Sequence, residues 1–154
     1  MKTFRLYGVR LLVALLLTLA AYNASGSSGS EAGATWTSRT SQGNPLFGVA
    51  YGNGLFVAVG SHPDPLSFAS VILTSPDGVT WTAQTSGTGN RLNGVAYGNG
   101  TFVAVGNFGT ILTSPDGASW TQRTSGTSNW LRGVAHGNGL FVAVGEGGII
   151  LTSP

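Results

Sequence analysis

The chain offers few side chains for chemistry. Five acids (Glu31, Asp64, Asp77, Asp116, Glu146) and two histidines (His62, His136) are all the carboxylates and imidazoles in 154 residues, and cysteine is absent. Glycoside hydrolysis needs two carboxylates held about 5–10 Å apart across a bond. Asp77 and Asp116 sit in identical Ser-Pro-Asp-Gly turns, Glu31 lies in a Gly/Ser-rich stretch and Glu146 in a turn, so no such pair can be nominated. A metal ion wants several converging ligands. His62 falls in a loop and His136 replaces a tyrosine of a repeated motif, with no third ligand evident. Without cysteine there is neither a disulfide nor a thiolate site. The glycines fall at strand ends rather than between a strand and a helix, as a phosphate loop requires. No catalytic residue, metal ligand or cofactor is expected.

The recurrent polar side chains suit binding instead. Tyr51, Tyr97 and His136 occupy one repeated position, and Asn53, Asn99 and Asn138 follow two residues later. With Trp130, which breaks the repeat, these are the candidate ligand-binding residues. Aromatic faces beside amides suit a sugar. A simpler role competes with that one: the Asn serves the turn and the aromatic ring packs over the hairpin.

These residues are positioned by tandem repeats. Thr-Ser-Pro begins at 74, 113 and 152, a period of 39. LNGVAYGNGTFVAVG (92–106) is matched by LFGVAYGNGLFVAVG (46–60) and LRGVAHGNGLFVAVG (131–145). Ahead of SHPDPLSFAS (61–70) the first two copies are offset by 46 and behind it by 39, so this loop holds seven extra residues. Each unit reads as four short strands: LNGVAY, TFVAVG, TILTSP and SWTQRT. Gly-Asn-Gly and Pro-Asp-Gly provide tight turns between them, because these residues accept positive φ or preset it. Several short strands at regular spacing predict an all-β fold, and four-stranded units of about 40 residues match propeller blades. A lone fourth strand, TWTSRT (35–40), is expected before the first full unit. The strand count then runs one, four, four, three, or about three blades. Propellers typically have about four to eight. The expectation is a partial β-propeller: a homo-oligomer completing a ring, or part of a longer array.

Ahead of the repeats, Lys2, Arg5 and Arg10 precede the apolar run LLVALLLTLAA (11–21) and a small-residue exit. This is the pattern of a secretory signal peptide over 1–24, with cleavage after Ala20 or after Gly26; an uncleaved anchor is the alternative. The apolar run is shorter than the roughly 20 residues of a membrane span, so no stable span is expected after cleavage. Residues 25–34 read as a Gly/Ser linker and 35–154 as repeats, in units of about 35–87, 88–126 and 127–154. The mature chain is expected to be secreted or periplasmic. From Ser25 onward four arginines face five acids, a net charge of −1, which gives no basic footprint for nucleic acid.

SPDGVTW (75–81) and SPDGASW (114–120) resemble the Asp-box, or bacterial neuraminidase repeat, in a form one residue shorter between Asp and Gly. The matching positions are Ser75, Asp77, Gly78 and Trp81, then Ser114, Asp116, Gly117 and Trp120. The resemblance extends to sialidase-like and photosystem II assembly factor-like propellers and to secreted bacterial repeat proteins. It implies that the box is structural and lies far from any ligand site. Sialidases of this scaffold use an arginine triad and a Tyr–Glu pair. Arg39, Arg91, Arg123 and Arg132 are scattered over the repeats in no such arrangement. The expected function is a secreted, non-enzymatic binding scaffold for a protein or a glycan; a glycan-acting enzyme or an incomplete array are the alternatives.

Overall fold

A computed structural model describes residues 33, 35–39, 43–64, 67 and 69–154. The leader, nearly all of the linker and Glu31 lie outside the described residues. All eleven strands belong to the unit Arg39–Pro154.

The strands form three antiparallel meanders. Sheet A holds β1 (Leu46–Gly52), β2 (Leu55–Ser61), β3 (Ser70–Ser75) and β4 (Thr82–Gln84). Sheet B holds β5 (Leu92–Gly98), β6 (Thr101–Gly106), β7 (Ile111–Ser114) and β8 (Thr121–Arg123). Sheet C holds β9 (Leu131–Gly137), β10 (Leu140–Gly145) and β11 (Ile150–Ser153). The described residues contain no α-helix, only 3-10 turns at Asn107–Gly109 and Glu146–Gly148. No helix among them is long and apolar enough to cross a membrane.

The first hairpin of each sheet turns on Asn-Gly with both residues at positive φ: 50° and 75° at Asn53-Gly54, 47° and 75° at Asn99-Gly100, 51° and 76° at Asn138-Gly139. This twist matches that of the flanking strands and sets a register that pairs Tyr51 with Phe56, Tyr97 with Phe102 and His136 with Phe141. The outermost strands β4 and β8 are three residues long and polar, a composition that protects an open sheet edge.

The sheets stack in chain order through their first strands. A Cβ built on Gly48 would lie 3.0 Å from Gly94 Cα, and one on Gly94 would lie 3.2 Å from Gly133 Cα, so the backbones are in near contact there. Farther out, Val57, Val59 and Ile72 of A pack against Leu92, Val95, Phe102 and Leu112 of B. Ala96, Val103 and Val105 of B pack against Leu131, Phe141 and Ala143 of C. Sheet B is covered on both faces. The continuous apolar run of β6 is accordingly buried on both faces. A buried polar link ties B to C: Asn93 Nδ2 donates to Leu131 O at 2.8 Å and to Asn107 Oδ1 at 3.0 Å.

The expected lead strand departs from this pattern. Residues 35–39 join no ladder, and Trp36 is 90% exposed. A strand is stabilised by a neighbour, and among the described residues sheet C stops at three strands.

Candidate functional site

The most ordered polar clusters are the two Ser-Pro-Asp-Gly turns. Ser75 is fully buried at the end of β3; its hydroxyl donates to Asp77 Oδ1 (2.9 Å) and accepts from the Gly78 N–H (2.8 Å). The N–H groups of Val79 and Thr80 donate to the same carboxylate at 2.8 and 2.9 Å. At the second turn Ser114, Ala118 and Ser119 bond Asp116 in the same way, and Trp120 Nε1 donates to Gly117 O at 2.9 Å. The Trp120 ring packs on the core between A and B. Each carboxylate is engaged by its own turn, which is a turn-locking geometry and not a reactive one.

These bonds favour the ionised form. The Thr80 N–H, then the Val79 N–H and the Ser75 hydroxyl, hold Asp77 below the ordinary carboxylate range. The Ser119 N–H, followed by the Ala118 N–H, holds Asp116 far below it. Because folding lowers these values, their stabilisation is complete above the unfolded value of about 4 and is lost as pH falls from there through the folded value. Asp116→Ala should therefore lower the melting midpoint by several degrees at neutral pH. Melts run into the acid range should show the gap to the unsubstituted protein narrowing. A constant gap would mean the charge plays no part.

The repeated aromatic positions are mostly spent on packing. A Cβ on Gly52 would fall 2.0 Å from Tyr97 Cγ, and one on Gly98 would fall 2.0 Å from His136 Cγ, so each ring lies flat on the glycine of the preceding sheet. Their faces are further occupied by Phe102 and Phe141, at centroid distances of 4.6 and 4.7 Å. Asn53, Asn99 and Asn138 hold the turns, and Asn99 Nδ2 also donates to Gly139 O at 3.1 Å. Tyr51, with no preceding sheet among the described residues to lie on, is 59% exposed. Trp130 is half-buried, edge-on to Phe108 at 5.8 Å, with the Arg132 guanidinium 4.8 Å from its ring; Arg132 is ion-paired with Glu146. His62 is exposed and accepts the Asp64 N–H at its own loop. Six of the seven binding candidates thus share one row of stacked hairpins, and Trp130 lies apart from them beside Phe108. Among the described residues no three His, Asp or Glu side chains form a group that would hold a metal.

Neither family models nor curated proteins yielded a match to the chain.

A cleft of about 450 Å³ opens between sheets B and C and went unnoticed in the sequence. Its floor is Val103, Val105 and Phe141, and its rim includes Thr113, Arg123 and Ser153. Between A and B the equivalent space is filled: Gly117 of the second Asp turn sits against Leu55, Val57 and Thr74, the counterparts of Thr101, Val103 and Thr113. Repetition hid the cleft, because Val57 and Thr74 of the filled space recur as Val103 and Thr113 of the open one, with only Leu55 changed, to Thr101.

Proposed function

We propose that this chain is a secreted, non-enzymatic interaction module whose sheets are blades of a β-propeller, and that it works by binding another protein through its end sheets. One observation carries the reading. The apolar face that A turns to B, and B to C, recurs on the far side of C, where no sheet among the described residues covers it. Val57, Val59 and Ile72 are buried against B, whereas their counterparts Val142, Val144 and Ile150 range from half-buried to exposed, with Ile150 at 67%. Stacking through the first strands, with short fourth strands outermost, supports the blade assignment.

A protein partner is favoured over a glycan because Tyr97 and His136 are occupied by sheet packing, while the open surface is aliphatic. A glycosidase is disfavoured because Asp77 and Asp116 are saturated by their own turns and Glu146 is paired with Arg132. The test is a photo-crosslinking side chain placed at Ile150 or, for comparison, at Gln122 on β8. Capture of protein from Ile150 but not from Gln122 is expected. Equal labelling at both positions, or turnover of fluorogenic glycosides that falls with Arg123→Ala, would overturn the reading.

A further inference from the structure

The two ends of the stack are complementary, and we infer that a second copy of this chain docks on them head to tail, β1 of one copy lying on β9 of the next. The inference rests on the end faces being interaction surfaces and names what covers them. Inside the chain the same joint is made twice. Leu92, Val95 and Tyr97 of B lie on A, with the Tyr97 ring on Gly52. Leu131, Val134 and His136 of C lie on B, with the His136 ring on Gly98.

The third joint has both halves, and among the described residues they do not meet. Its knob is Leu46, Val49 and Tyr51 on β1, with Val49 62% exposed; farther out on that face Ala58 and Leu73 are buried, so the open strip is β1 itself. Its seat is Gly137, where a Cβ would meet nothing within 4 Å, flanked by exposed Ala135 and by Val144 at 44%. Gly133 likewise lacks the backbone neighbour that Gly48 and Gly94 have: a Cβ there would meet only Val144, at 3.8 Å. Tyr51 on Gly137 repeats Tyr97 on Gly52 with the same residue types. Asn138 is placed to donate to Gly54 O of the next copy, as Asn99 does to Gly139. Such an interface uses two different patches, so it generates a closed ring if the rotation permits and a filament if it does not.

The test exploits the absence of cysteine. A Tyr51→Cys chain and a Gly137→Cys chain, each expressed from the full reading frame, are mixed under mild oxidation. Both positions are accessible in one chain, so both variants should fold. The expected result is a disulfide between the two variants, formed at least tenfold faster than homodimers of either alone. Light scattering of the unsubstituted protein should give at least twice the mass of one chain, reverting to one chain with Val144→Asp or Val49→Asp. A monomer at every concentration, or Tyr51→Cys pairing fastest with itself, overturns head-to-tail docking. If that monomer still crosslinks another protein from Ile150, the interaction reading stands and only the identity of the partner is wrong.

Discussion

Phe102→Ala is expected to destabilise the protein by about 3–5 kcal/mol, the range for removing a large aromatic side chain from a packed core. Phe102 is the largest side chain with no accessible surface. It is the second residue of β6, opposite Tyr97, and belongs to the cluster with Val57, Val59, Leu92 and Leu112 that joins A to B. Its loss would leave a cavity that the neighbours cannot close, because sheets A and B are held by backbone contact at Gly48 and Gly94.

The repeat provides the control. Phe56 holds the same place in sheet A and also pairs with a tyrosine, at a centroid distance of 4.5 Å, but it is only half-buried. Urea denaturation of both alanine variants measures the difference, with the shift in midpoint read at unchanged slope. Phe102→Ala should cost at least twice as much as Phe56→Ala. Equal losses would mean that the A–B interface is not the core of the fold.

The unit of structure was legible in the sequence, but the joints between units were not. The 39-residue period, the Asn-Gly and Pro-Asp-Gly turns and the strands they bound follow from local rules. Asn at positive φ before Gly forms one hairpin wherever it is placed, so reading one copy sufficed. What a single unit cannot reveal is which of its faces meets a neighbour, because all three copies have nearly the same residues. Tyr97 and His136 can be read as ligand-binding rings or, more simply, as packing rings. Only the approach of Gly52 and Gly98 decides for packing. A signal was present in the dipeptide itself: Tyr51-Gly52, Tyr97-Gly98 and His136-Gly137 each set a large ring beside a residue with no side chain. In a strand those two point to opposite faces, which is the pattern of a knob and a seat. Residues 35–39 show the opposite failure. Their likeness to SWTQRT predicts a strand, but a fourth strand exists only where a third one pairs with it.

That knob-and-seat pattern sets the second large effect. Gly98→Ala should cost about 3 kcal/mol, at the upper end for adding volume to a packed interior, and Gly52→Ala a similar amount. The added Cβ at either place would overlap a ring by well over an ångström. Neither ring can swing aside, because Phe102 or Phe141 packs beside it at a tilt and the sheets cannot part at Gly48, Gly94 and Gly133. Neither glycine is at positive φ, so the cost arises from packing and not from backbone strain. Gly137→Ala makes the identical change at the identical repeat position, with open space above it. There the reduced freedom of the unfolded chain favours Ala by about 0.4–1 kcal/mol, so the isolated chain should be unharmed or slightly stabilised. Denaturation at dilute concentration checks the order Gly98, Gly52, Gly137, and a costly Gly137→Ala would refute it. The same variant fills the seat for Tyr51 of a neighbouring copy. It should therefore combine undiminished stability with weakened self-association, a pairing that a purely structural glycine would not produce.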